Sequence, residues 1–142
     1  MKDLSLLKKR HKRKKMPILS NSNVIAFVPS TNLNESKLFY KDKLGLTLKS
    51  FDEIALEFKI NEVILRVTKV SELTPASYTI FGWNINDIDL TIKELSNRGI
   101  QFEKFNGFSQ SDLGVCTFPD GGKVAWFKDP DGNTLSITQF VN

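Results

Sequence analysis

A chain of 142 residues with 40% apolar and 25% charged residues can bury one proper core and has the composition of an ordinary globular protein. No apolar run reaches membrane-spanning length, and a single cysteine, Cys116, excludes an internal disulfide and fits a reducing, cytoplasmic setting. The net charge of +4 misleads about the domain: residues 1–15 carry eight of the 20 Lys and Arg for a local balance of +7, which leaves −3 for the remainder.

Residues 1–20 are therefore expected to form a basic, disordered tail, with one domain over 21–142. The run "KKRHKRKK" has the charge density of a nucleic-acid or localisation patch. The blander alternative, a disordered appendage or a start at Met16, which opens "MPILSNSNVIAFV", is the favoured one, so nucleic acid is not expected as a partner. A signal peptide is not expected either, because "LSLL" precedes the charges and no apolar core follows them.

The domain reads as a repeated plan. Module one, 23–70, opens with a strand at Val24–Val28 and a helix from Leu33 to Leu44, capped by Asn32 with Glu35 placed as in a capping box, and stopped by Gly45. Strands follow in "GLTLKSF", "IALEFKI" and "VILRVTK", with turns near Asp52 and Asn61. Residues 71–77, "SELTPAS", read as a linker. Module two, 78–140, opens with a strand at Tyr78–Ile85. Asn86 or Asp87 then caps a helix with Ile88, Ile92 and Leu95 on one face, and Gly99 ends it. The segments "IQFEKF", "KVAWFKD" and "TLSITQF" read as its later strands. Between the first two lies an insertion, 106–122, whose length points to function or mobility. Leu33 and Ile88 are 55 positions apart and Gly45 and Gly99 are 54 apart, so the plan is βαβββ twice, an α+β fold.

This plan, with Phe39-Tyr40, "LGL" at 44–46 and "DPDGN" at 129–133, resembles the vicinal oxygen chelate superfamily of glyoxalases, bleomycin-resistance proteins and extradiol dioxygenases. The resemblance runs from about Asn23 to Phe140. It implies a glyoxalase-like fold, with two βαβββ modules forming a cup-shaped curved mixed sheet, and a homodimer. In the metal enzymes of that group, each module places one ligand on its first strand and one on its last. Here those positions fall on Ile25, Arg66, Ile80 and Ser136, which are not a ligand set for a divalent metal. The only histidine, His11, lies in the tail, so no metal or other cofactor is expected.

Arg66 interrupts the apolar "VILRV" at a position implied to face the cup. A buried guanidinium needs an anion, either Glu57 on the neighbouring strand or a ligand carboxylate or phosphate. Trp126 and Trp83 sit in strands and face either the cup or the helices. Ser136, Thr138, Thr68 and Asn84 alternate with apolar neighbours and are candidate hydrogen-bonding groups. Glu57, the one carboxylate in a central strand, is the candidate acid or base should a reaction be catalysed. Cys116 reads as a small buried hydrophobe, and Asp112 and Asp120 as turn residues. The function expected is metal-free binding of a polar or anionic small organic molecule in the cup, of a resistance or sequestration type. Bleomycin itself is disfavoured, since a cationic drug would meet Arg66. The alternatives are a metal-independent isomerase or lyase and a degenerate glyoxalase or dioxygenase.

Overall fold

The computed structural model describes residues 18–142. The expected tail therefore lies outside the described residues except for Ile18, Leu19 and Ser20, which enter a turn closed by the Ser22 amide donating to the Leu19 carbonyl at 3.0 Å. Among the described residues no helix is long and apolar enough to cross a membrane.

Module one contains β1 (Ile25–Ser30), α1 (Leu33–Lys37), β2 (Thr47–Phe51), β3 (Ala55–Ile60) and β4 (Val63–Lys69). The Asn32 side chain caps α1 by accepting from the Glu35 amide at 3.1 Å. The return half of the capping box is replaced: the Asn32 amide donates to Ser30 Oγ at 3.2 Å. Beyond Lys37 the helix widens into a π-helical segment, Leu38–Lys43, which turns both Phe39 and Tyr40 inward. Gly45, at φ 74°, reverses the chain as expected.

Module two contains β5 (Phe81–Asn84), α2 (Ile88–Asn97), β6 (Cys116–Thr117), β7 (Lys123–Lys128) and β8 (Thr134–Gln139). Asp87 is the cap of α2, its carboxylate accepting from the Leu90 amide at 3.1 Å. Two expectations are corrected here. The first strand is shorter than Tyr78–Ile85, because its partner β8 begins at Thr134, opposite Ile80, and leaves Tyr78 and Thr79 nothing to pair with. The segment "IQFEKF" makes only an isolated bridge, Phe102 to Phe127, plus the Glu103 amide bonding to the Trp126 carbonyl at 2.8 Å. The chain then leaves the edge of β7 in a long loop and returns as β6, which lies inside the expected insertion.

The strands form two four-stranded mixed sheets, ordered β1-β4-β3-β2 and β5-β8-β7-β6. In each, the first and last strands of the module pair in parallel and the remaining pairs are antiparallel. One apolar cluster joins the helix-bearing faces: Val28, Leu56, Phe58, Leu65 and Val67 from sheet one, Ala125, Phe127, Leu135 and Ile137 from sheet two, with Phe39, Tyr40, Ile88 and Ile92. Tyr40 packs on Phe58 and Phe39 on Phe127, so the π-helical segment touches both sheets.

A polar latch completes the joint. The Tyr40 hydroxyl donates to Asp129 at 2.7 Å, and Asn133 Nδ2 bridges Asp129 and the Pro29 carbonyl, both at 2.9 Å. The amide and hydroxyl of Thr31 donate to Asp131. Burial pushes the Asp129 carboxyl above its ordinary value, against the hydrogen bonds that favour its charge. Burial, and then the charge of Asp129, push the Tyr40 phenol well above its own.

Candidate functional site

Alternation along each strand divides the side chains between a helix-covered face and a free face. On sheet one the free face carries Ile25 and Phe27, Arg66 and Thr68, and Glu57. Cross-strand register sets Phe27 beside Arg66 and Arg66 beside Glu57. Arg66 and Glu57 form an ion pair. Of the two anions that the sequence offered for Arg66, the internal one is in place. The guanidinium also helps to keep the exposed Asp52 carboxyl below its usual range, after the amides of Ile54 and Ala55, which are the larger causes. Thr68 Oγ1 is buried without a hydrogen-bond partner among the described residues. Phe27, 63% exposed, stands bare.

The free face of sheet two is different. Trp126 lies opposite Ser136, Gly82 lies on the other side of Ser136, and Asn84 lies opposite Thr138. Gly82 is required by a close approach, since a Cβ there would sit 2.8 Å from both the carbonyl oxygen and Oγ of Ser136. The structure thus brings Trp126, Ser136, Thr138 and Asn84 together on one sheet, and Arg66, Thr68 and Glu57 on the other. Trp83 faces the covered side, stacked on Phe127 at 6.2 Å and 17°.

Over Trp126 the loop of module two lays two further rings. Phe105 and Phe108 approach Trp126 at centroid distances of 5.5 and 6.3 Å and interplanar angles of 79° and 63°. With Ser77, Tyr78, Thr79 and Thr134 they line a pocket of about 380 Å³, a size that suits a small ligand. The loop is clasped by one side chain: Gln110 donates to the carbonyls of Glu103 and Gly114 at 3.1 and 2.8 Å and accepts from the Phe105 amide at 2.8 Å. Sequence reasoning singled out the insertion and Trp126 but not Phe105, Phe108 or Gln110. The signal lay in "KFNGFSQ", where two aromatic residues stand in a glycine-containing polar stretch.

A broader trough of about 690 Å³ lies between the start of α1 and the β2–β3 turn, bordered by Asn32, Asp52, Glu53 and Lys69. Its best-placed acceptors are already used, Asn32 in capping α1 and Asp52 in taking the amides of Ile54 and Ala55.

For metal chemistry the residues do not fit. The positions facing one another in register on the first and last strands are Phe27 with Arg66 and Gly82 with Ser136, and Ile25 and Ile80 lie one step away on the same faces. None offers an imidazole or a carboxylate. Among the described residues no three His, Cys, Asp or Glu side chains gather in a way that could hold a metal ion.

Repeated βαβββ modules, each a four-stranded mixed sheet backed by a helix, define the glyoxalase-like fold, as the resemblance implied. A glyoxalase/bleomycin resistance protein/dioxygenase from Nocardioides has a TM-score of 0.69 at 18% identity, over 96% of this chain and 94% of that one. A protein of the same description from Alicyclobacillus acidocaldarius gives 0.64 at 20% identity, over 89% and 96%. A lactoylglutathione lyase from Agrobacterium tumefaciens gives 0.62 at 16%, over 84% and 93%. At these identities the likeness is one of fold. No protein-family model matches the chain, and no curated protein matches it.

Proposed function

We propose that the protein binds a small organic molecule on the free face of its second sheet, by burial and hydrogen bonding and without a metal. The observation that carries this reading is the pocket floored by Trp126 and walled by Phe105 and Phe108, with hydroxyl groups at its edge. Glu57 supplies Arg66 with a counter-charge, so the arginine does not require an anionic ligand, although the two can coexist. Glu57, the candidate acid or base, stands on the other sheet and does not line the Trp126 pocket, so binding is favoured over an isomerase or lyase reaction.

Native mass spectrometry of freshly purified protein tests the reading. The expected result is an added organic mass that is absent from Trp126→Ala, with no stoichiometric metal. About one bound metal per chain, or the same added mass on the variant, overturns it. The bare apolar side chains of Ile25 and Phe27 make the free face of sheet one the surface through which two copies would pair. Light scattering should then give twice the chain mass, and Phe27→Lys should lower it to that of one chain.

A further inference from the structure

On the reading just given, we infer that the occupant of the Trp126 pocket is a flat aromatic compound, neutral or anionic but not cationic, carrying a hydroxyl or carbonyl group at one edge. The three rings are mutually steep: Phe105 and Phe108 meet at 64°, and both meet Trp126 at 63° or more. A flat ring entering among them finds π-faces and ring edges in different directions. Such an arrangement rewards aromatic contacts beyond simple area, and a saturated ring of the same size gains only the burial.

Positive charge is selected against from two sides. The lining residues are Ser77, Tyr78, Thr79, Phe105, Phe108, Trp126 and Thr134, and none carries a charge at neutral pH. A cation buried there would lose its water and find no counter-ion. Aromatic faces do attract cations. However, Lys128 lies opposite Thr134 in the sheet register, on the same face and beside the pocket, and Lys104 precedes Phe105 in the loop. Both oppose a cation. The polar edge of the ligand is placed by the hydroxyls of Ser77, Thr79 and Thr134. The Thr134 hydroxyl already donates to the Ala76 carbonyl at 3.3 Å, so it is left as an acceptor, whereas Ser77 and Thr79 are available in both roles. The clasp by Gln110 matters here, since rings fixed before binding lose less freedom on it.

The test uses four probes of one shape: 2-naphthol, the anion 2-naphthoate, the cation trimethyl(2-naphthyl)ammonium, and the saturated decahydro-2-naphthol. Binding to the full chain is followed by NMR at the two indole N–H signals, which Trp83→Phe distinguishes. The expected result is that 2-naphthol and 2-naphthoate move the Trp126 signal and bind about tenfold more tightly than the cation and the saturated alcohol. Phe108→Ala, a change at a largely exposed position, should weaken 2-naphthol toward the saturated probe. If the cationic probe or the saturated one binds as well as 2-naphthol, still at Trp126, the chemical class is wrong while the site stands. If no probe moves the Trp126 signal, or Phe108→Ala changes nothing, the site itself is wrong.

Discussion

Two modules built to one plan present opposite surfaces. Module one leaves its free face bare, with the Arg66–Glu57 pair beside Ile25 and Phe27. Module two roofs its own with an aromatic loop. The source of the difference is the edge strand. In module one β2 runs along β3 with a single irregularity between Leu48 and Ser50. In module two the chain breaks away after Glu103 and rejoins the edge at Cys116, and the released segment lays Phe105 and Phe108 over Trp126. A repeated fold thus acquires one pocket by interrupting one edge, with the central strands of both sheets unchanged. Edges tolerate this because the inner strands already satisfy each other's backbone groups.

The largest expected effect comes from breaking the joint that makes the modules one unit. Asp129→Ala leaves the Tyr40 hydroxyl, Asn133 Nδ2 and the amides of Asp131 and Asn133 without their acceptor. Urea unfolding should show a loss of about 3–4 kcal/mol. A loss under about 1 kcal/mol would mean that the apolar cluster and the remaining contacts, Asn133 to Pro29 and Thr31 to Asp131, join the modules without Asp129. Asp129 should also leave a mark on the pH dependence. Burial raises its pKa when folded, so the folded chain binds that proton more readily than the unfolded one. Its contribution is full below the ordinary aspartate range and is lost as pH rises through the raised value. Asp129→Asn, uncharged throughout, should remove that fall from unfolding measured as pH rises above the ordinary aspartate range.

A smaller effect should stay within module two. Gln110→Ala removes the three hydrogen bonds of the clasp, which should cost about 1–2 kcal/mol. The loss should appear as faster amide exchange at Phe105, with Leu65 in sheet one unchanged. Equal acceleration in both sheets would show that the loop supports the whole fold as well as the pocket.

The smallest belongs to module one. Arg66 and Glu57 are directly opposed across the sheet and remain 32% and 26% exposed, so solvent screens the pair. A double-mutant cycle with Arg66→Met and Glu57→Gln should give a coupling of about 0.2–1 kcal/mol. Neither change should alter binding at Trp126. Loss of that binding in Arg66→Met would return the arginine to the ligand site and collapse the contrast between the two faces.

Much of the fold was legible in the sequence because its signals are local. The caps at Asn32 and Asp87, the reversals at Gly45 and Gly99 and the alternation within each strand each depend on a few neighbouring residues, and together they revealed the repeat. The residue types at the four matched positions, Ile25, Arg66, Ile80 and Ser136, could be read in the same way. The site could not be read so. Trp83 and Trp126 have similar strand contexts, and only the pairing of β5 with β8 and of β8 with β7 decides that one packs on Phe127 while the other floors the pocket. Tyr40 meets Asp129 across 89 positions of chain, and Glu57 meets Arg66 because β3 pairs with β4 in one register rather than the next. Tertiary packing makes those decisions. A shift of one residue along a strand costs nothing in local preference, yet it moves every side chain to the other face of the sheet.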